Sequence, residues 1–390
     1  MSLPVLANRN KHIDPFHVME LAKHALALEA AGQSVIHMTI GEPDFTAPPP
    51  VLAALHRATT AGRTQYTEAV GIRPLREAIA NDYRTRWDVN VDPDRIIITA
   101  GASAALTLAC AALVNPGDGV LLGDPGYPCN RHFVAAFDGE AQLIPTGPET
   151  GFQVTPELIE QYWRDNTRGV LLSSPSNPTG TSIDTSTMAA ILDIVRGRGG
   201  FSIVDEIYLG LTYQDGVQSA LKHGDDMIIT NSFSKYFNMT GWRLGWLVVP
   251  QEWQPAFEKL TQNLLICAST LSQHAALACF DPESQRIFEE RREAFRARRD
   301  YLVPALREVG LDIPVTPDGA FYIYADISRF SDDSTAFAYD LLEKTGVALV
   351  PGKDFGRHDP NRYVRMSYAN SMENLREAVR RIGDYLRALN

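Results

Sequence analysis

Between residues 96 and 249 the sequence returns repeatedly to a short, unbroken apolar run. Ile96-Ile97-Ile98, Val120-Leu121-Leu122, Val170-Leu171-Leu172, Phe201-Ser202-Ile203-Val204 and Met227-Ile228-Ile229 are the members of this series. Most are separated by helix-length amphipathic or Ala-rich segments, such as 102–114 and 185–195. A strand with one wet face alternates apolar and polar residues, whereas a continuous run implies burial on both faces. Strands of that kind alternating with helices imply a three-layer α/β architecture with a mostly parallel sheet. Leu244 to Val249 reads as one more strand, and its short connection from Ile229 suits an antiparallel pairing.

The flanks have a different texture. An N-terminal arm leads into a helical pattern of Val18, Leu21, Ala22, Ala25, Leu26 and Leu28, closed by Gly32. A short strand, Val35 to Ile40, runs into Gly41-Glu42-Pro43-Asp44-Phe45, and the prolines at 48–50 open the next helix. A long helical stretch is expected over 253–300. Its second part, Arg286 to Asp300, is dense in Arg and Glu. The interleaved signs favour a solvated, salt-bridged helix over an anion-binding face. Beyond it, Phe321 to Tyr324, Val347 to Val350 and Tyr363 to Ser367 read as strands, and Met372 to Leu389 as a closing helix. These elements suggest a second, smaller α+β domain.

Composition excludes several classes. The chain has 36 basic and 47 acidic residues, a net charge of −11, which disfavours nucleic-acid and anionic-membrane binding. No stretch reaches the ~18 apolar residues of a membrane span, and the start is too short in apolar run for a secretory signal. Cys110, Cys129, Cys267 and Cys279 form no C-x-x-C pair, which fits reduced thiols in a cytoplasmic setting. The histidines are scattered without H-E-x-x-H or zinc spacing, so no metal site is expected. A Walker loop, a G-x-G-x-x-G fingerprint and a G-x-S-x-G elbow are all absent.

Open parallel sheets bind ligands beyond the carboxyl ends of their strands. After Ile98 come Gly101, Ala102 and Ser103, opening a helix whose N-terminal N–H groups suit phosphate, although an ordinary tight turn reads the same way. After Leu172 comes Ser176-Asn177-Pro178-Thr179-Gly180, and after Val204 come Asp205 and Tyr208. A carboxylate ending an apolar run needs a partner, either a protonated ring nitrogen or a structural arginine. After Ile229 come Ser232, Ser234 and Lys235, followed by Arg243, among aromatic and apolar residues. Partial desolvation there lowers a lysine pKa and frees the amine for Schiff-base chemistry, while the hydroxyls and the arginine suit a phosphate dianion. A surface turn with an incidental lysine is the alternative. Tyr127 could stack on a flat ring or simply pack. Arg365 shares one face of a half-buried strand with Tyr363 and Ser367, as a carboxylate clamp or as a surface ion pair.

Taken together and in this order, these motifs resemble the class I/II aminotransferases, fold-type I pyridoxal-phosphate enzymes. The resemblance runs from about Ile13 to the C-terminus. It rests on Ser232-x-Ser234-Lys235 with Arg243, Asn177-Pro178-Thr179-Gly180, Asp205-x-x-Tyr208 and Arg365, with Gly41 to Phe45 and Tyr66 to Gly71 also matching.

The resemblance implies a large domain over 46–285 that binds pyridoxal 5′-phosphate, and a small domain joining 1–45 to 286–390. It implies that Lys235 carries the cofactor as a Schiff base, that Asp205 pairs with the ring nitrogen, and that Asn177 and Tyr208 bond its phenolic oxygen. Tyr127 would stack on the ring. Gly101, Ala102, Ser103, Ser232, Ser234 and Arg243 would cradle the phosphate. Tyr66 would reach it from the partner of a homodimer with shared sites. Arg365, with Gly41 and Asn177, would bind the substrate carboxylate. The expected reaction is ping-pong transamination between an α-amino acid and a 2-oxo acid. A cysteine-S-conjugate β-lyase of the same fold and a non-catalytic regulator are the alternatives. Some aspartate-using relatives have lysine where Ser103 stands, which disfavours a dicarboxylate-only enzyme. Phe16 and His17 lie in the segment that covers the site in such relatives, which leaves an apolar substrate pocket and mere arm packing both open.

Overall fold

The computed structural model describes residues 5–15 and 17–389. Phe16, expected in the substrate site, lies outside the described residues. The strands, in chain order, are β1 (Ile36–His37), β2 (Ile96–Thr99), β3 (Gly119–Asp124), β4 (Glu140–Pro145), β5 (Thr167–Ser173) and β6 (Phe201–Asp205). They continue with β7 (Ile228–Ser232), β8 (Gly245–Val248), β9 (Tyr322–Asp326), β10 (Val347–Ala348), β11 (Val350–Pro351) and β12 (Tyr363–Ser367).

Seven of these strands form one sheet in the order β2-β8-β7-β6-β5-β3-β4. Strand β8 runs antiparallel to both its neighbours, and the pairs among β3 to β7 are parallel. Side chains alternate across a strand, and each apolar run divides between the two faces accordingly. Ile96, Ile98, Leu121, Val170, Val204 and Ile229 join one apolar cluster. Ile97, Val120, Leu122, Leu171, Ile203 and Ile228 join the other. This division is why the runs are continuous: both faces of the sheet are covered.

Strand β4 carries no unbroken apolar run, and the sequence did not mark it. It has a single neighbour, β3, and after exposed Glu140 its residues alternate between half-buried and buried, so an edge position removed the signal. The helical stretch over 253–300 is interrupted. It divides into helices Gln254–Leu264, Thr270–Ala276 and Pro282–Glu308. Ile266 takes φ 68°, which ends the first, and Pro282 reopens the last at its first turn.

A three-stranded sheet, β11-β12-β9, lies in the C-terminal part. The run Val347 to Val350 is shared: β10 pairs with β1, while Val350 in β11 pairs with Arg365. Of the expected N-terminal strand Val35 to Ile40, Ile36 and His37 alone are strand residues. Strand β12 is not half-buried; all five of its residues are buried, because its second face is also covered. Arg365 is therefore an interior charge, 5% exposed, and the surface ion-pair reading fails.

Register aligns the strand ends on one rim. Ser173 pairs with Asp205, Asp205 with Thr230, and Gly245 with both Ser232 and Thr99. Loops leaving that rim carry the polar residues picked out from the sequence.

Candidate active site

A cavity of about 280 Å³ opens at this rim, between the large sheet and the three-stranded sheet. Gly41, Ala102, Ser103, Tyr127, Asn177, Asp205, Tyr208, Ser232, Ser234, Lys235, Arg243 and Arg365 all line it. Gly101 lies just behind, and Tyr66 is on the surface, 80% exposed.

One end is a cradle for an anion. Gly101, at φ 84°, precedes helix Ala102–Leu113, and a Cβ there would meet Arg243 Nη2 at 2.7 Å. The guanidinium is the end of a flexible side chain and could give way, so it is the positive φ that calls for glycine here. Arg243 is itself left-handed at φ 52°, and its Nη1 donates to Thr240 O at 3.0 Å. Ser232 and Ser234 are buried with their hydroxyls 3.0 Å apart, and the Ser234 N–H donates to Ser232 Oγ at 3.1 Å. A helix N-terminus, two hydroxyls and a guanidinium converge here, which suits a phosphate dianion.

The centre holds Asp205 and Lys235. Asp205 is 4% exposed and accepts from the Thr230 hydroxyl at 3.1 Å and the Ile207 N–H at 3.2 Å. Burial pushes its carboxyl up to about 6, although those two donors and the charge of Lys235 oppose the shift. Lys235 donates to Gly41 O and lies 5.7 Å from the ring centre of Tyr208. Burial brings its amine down to about 8; Glu42 opposes the shift, and Arg365 and Arg243 reinforce it. An amine poised near neutrality is suited to take and return protons.

The far side holds a second guanidinium. Arg365 donates from Nη1 to Asn177 Oδ1 at 2.8 Å and from Nη2 to Thr39 O at 2.7 Å. Its Cζ lies 4.4 Å from the ring centre of Tyr322 and 4.8 Å from that of Phe355. Its Nε is buried without a hydrogen-bond partner among the described residues.

Several lining residues escaped the sequence reading. Tyr322, Val18, Val350, Asp354 and Phe355 line the cavity, and Thr230 supports Asp205 from behind. Tyr322 sits in a segment already expected to be a strand, so strand alternation was an available signal. Thr230 becomes adjacent to Asp205 only through the pairing of β6 with β7. Nothing local marks it.

The residues fit pyridoxal 5′-phosphate on these grounds: an anion cradle at one end, a buried carboxylate with no cation bonded to it among the described residues, and a depressed lysine within the same walls. The family model for aminotransferase class I and II matches residues 33–382. The chain belongs to this family. As a class I/II aminotransferase it is 40% identical, over 96% of its length and 97% of the relative's, to the valine–pyruvate aminotransferase of Mycobacterium tuberculosis. It is 36% identical to the (5-formylfuran-3-yl)methyl phosphate transaminase of Methanocaldococcus jannaschii, over 98% of this chain and 100% of that one. The crystal structure of an aminotransferase from Mycobacterium tuberculosis matches with a TM-score of 0.95 at 40% identity, covering 99% and 100% of the two chains. This aminotransferase is a fold-type I enzyme that uses pyridoxal 5′-phosphate to transaminate between an amino acid and a 2-oxo acid. Neither the lyase nor the regulator alternative is favoured by these relatives.

Proposed function

We propose that the enzyme transaminates an α-amino acid with an apolar side chain, and that the cavity residues divide the work as follows. The backbone of Gly101, Ala102 and Ser103, with Ser232, Ser234 and Arg243, holds the cofactor phosphate. Tyr127 covers the ring. Asp205 keeps a proton on the ring nitrogen, and Thr230 fixes that carboxylate. Asn177 and Tyr208 hold the phenolic oxygen. Lys235 anchors the cofactor and, once displaced by the substrate amine, moves the proton of the substrate Cα through Nζ. When bound, pyridoxal phosphate supplies a carbonyl for the amine and a ring that accepts electrons as that proton leaves. Arg365 clamps the substrate carboxylate, with Gly41 and Asn177 beside it.

The observation that carries the substrate reading is the charge inventory of the cavity. Lys235, Arg243 and Arg365 are its cations among the described lining residues, and each has a role above. None remains for a distal carboxylate. The lining beyond Arg365 includes Val18, Val350 and Phe355, with Asp354, a buried carboxylate that accepts from the Val18 N–H at 2.7 Å. The relative named for valine and pyruvate supports the same reading.

The test is single-turnover mixing of the cofactor-loaded protein with individual amino acids, followed by cofactor absorbance and by the 2-oxo acid formed. Valine and alanine should convert faster than aspartate and glutamate. Preferred conversion of the dicarboxylates would overturn the substrate reading.

A homodimer with Tyr66 reaching the partner's cofactor is part of the same proposal. Tyr66, Leu264 and Ile266 are each exposed, and Thr270 Oγ1 donates to Gln65 O at 2.6 Å, tying the segment around residue 65 to that around residue 270. We also infer the division into a large domain over 46–285 and a small domain of 1–45 with 286–390; the pairing of β1 with β10 supports it. A cytoplasmic setting is supported by the free cysteines, two of them buried. Among the described residues, no helix is long and apolar enough to cross a membrane.

A further inference from the structure

The exposed Tyr66 side chain makes no hydrogen bond, ion pair or ring contact among the described residues. Its backbone, in contrast, is held from both sides. Thr270 Oγ1 donates at 2.6 Å to the carbonyl of Gln65, the residue before it. Gln273 Nε2 donates at 3.1 Å to the hydroxyl of Thr67, the residue after it. Both donors lie on one short helix, Thr270–Ala276. An exposed side chain without contacts of its own needs no fixed backbone for the chain to fold. One that must meet a group on another subunit does, because a preordered loop loses less entropy on binding.

Gln273 is fully buried, and its partners fix the orientation of its amide. The Ile72 N–H can only donate and the Ala268 carbonyl can only accept. Oε1 therefore faces Ile72 N at 2.8 Å, and Nε2 donates to Ala268 O at 3.0 Å. The second Nε2 hydrogen goes to Thr67 Oγ1, which donates onward to Glu68 O at 3.0 Å. One side chain thus grips the 65–72 loop at Thr67 and at Ile72, where helix Arg73–Trp87 begins. Between these points the loop lies tight on β2. Ile98 N donates to Val70 O at 3.0 Å, and a Cβ on Gly71 would meet Ile98 Cγ1 at 2.3 Å. Neither Gln273 nor Thr67 is among the described residues that line the active-site cavity of their own subunit.

We propose that Gln273 is a positioning residue that acts in trans. By holding the loop at Thr67 and Ile72 it sets Tyr66 for the cofactor phosphate of the partner subunit, not for that of its own. This role rests on the homodimer proposed above, in which Tyr66 completes the partner's cradle. The opposite, a role in its own subunit, has a physical route. Ser272, the neighbour of Gln273, donates from Oγ to Trp242 O at 3.0 Å, one residue before Arg243. The side-chain bonds of Gln273 itself, however, go to the Tyr66 loop and to its own segment. A slack loop would have to be ordered each time its tyrosine met a phosphate, so loosening it weakens cofactor binding across the interface.

The experiment uses hybrid dimers of full-length chains, isolated through two different tags. It reads the dissociation constant of pyridoxal phosphate at the site that retains Lys235, from the absorbance of the lysine-linked cofactor. A hybrid of wild type with Lys235→Ala is the reference. In the first test hybrid, one subunit is wild type and the other carries both Gln273→Ala and Lys235→Ala. Its lysine site receives Tyr66 from the loosened loop and should bind about tenfold more weakly, the scale of a hydrogen bond to a charged group. In the second, one subunit carries Gln273→Ala and the other Lys235→Ala. Its lysine site receives Tyr66 from an intact loop and should bind like the reference. Weakening in the second hybrid, alone or equally with the first, or weakening in neither, would overturn the proposal. Thr67→Val breaks the same bond at a half-buried position and should reproduce the first result even if Gln273→Ala does not fold. Thr67→Ser should restore reference binding, and reference binding with Thr67→Val would also overturn the proposal. Tyr66→Phe in the same two arrangements tests the shared site separately. If it weakens the first hybrid and Gln273→Ala does not, the role of Gln273 alone fails. If Tyr66→Phe weakens neither, the shared site fails and the role of Gln273 with it.

Discussion

The hydroxyls of Tyr208 and Tyr322 stand 2.8 Å apart inside the active-site cavity, joining residues 114 positions apart in the chain. The ring of Tyr322 also lies against the Arg365 guanidinium, 4.4 Å from ring centre to Cζ. Tyr322 therefore links the side chain assigned to the phenolic oxygen with the one assigned to the substrate carboxylate. It is fully buried, and its hydroxyl is 3.3 Å from where a Cβ on Gly41 would stand.

Tyr322→Phe keeps the ring against Arg365 and removes the hydroxyl. One neutral hydrogen bond contributes about 1 kcal/mol, so kcat/KM is expected to fall about fivefold. Steady-state kinetics with a fluorescence titration of pyridoxal phosphate checks this. Unchanged kinetics would mean that Tyr208 is held without its partner.

Arg365→Lys removes the fork that reaches Asn177 Oδ1 and Thr39 O at once. A lysine cannot reproduce that geometry. Loss of charged hydrogen bonds predicts a KM for the amino acid raised roughly tenfold to a hundredfold. Cofactor content should remain at the wild-type level. A variant with normal KM would remove Arg365 from carboxylate binding.

Lys235→Ala should still bind pyridoxal phosphate, through the cradle around Ser232, Ser234 and Arg243, but without a covalent link. Borohydride reduction followed by mass spectrometry should label the wild type and leave the variant unlabelled. Transamination should drop by about a thousandfold or more, the scale of a lost general acid–base group. Wild-type turnover in this variant would sink the assignment.

Glu206 carries a pH-dependent stability. It is 1% exposed, accepts from the Ala220 N–H at 2.7 Å and the Ser219 hydroxyl at 3.0 Å, and is pushed up to about 8 by burial. The folded state keeps this proton between about 4.5 and about 8, where the unfolded chain has released it. Stability from the group is thus complete below that window and is lost as pH rises through it. Glu206→Gln has no charge to form. Its Tm should match the wild type near pH ~5 and exceed it by about 2–4 °C near pH ~9. Parallel Tm curves across that range would show that Glu206 does not titrate in the window.

The β2 to β8 sheet was legible wherever a strand is covered on both faces, because burial writes an unbroken apolar run. It was illegible at β4, where an edge strand keeps one side in water. The cofactor cradle was legible for a similar reason: its glycine turn and its two serines closely follow apolar runs, and loops at strand ends carry the ligand-binding residues of such sheets. Thr230 was not legible, since it follows no strand end and acts through a partner distant in sequence; Tyr322 lay in an expected strand, but the partners that give it a role are distant in sequence.

By itself, the sequence determined the alternation of buried strands and helices, the order of the polar loops, and the lysine, carboxylate and arginine types that pyridoxal-phosphate chemistry uses. These are local properties, set by side-chain periodicity and by which residue ends each strand. Only the tertiary structure decided that β12 is covered on both faces and that Arg365 is an interior charge rather than a surface one. It alone brought Tyr322 between Tyr208 and Arg365 and set Thr230 behind Asp205. Those relationships depend on strand register and on how the two sheets pack, and packing joins residues whose separation along the chain carries no trace of their contact.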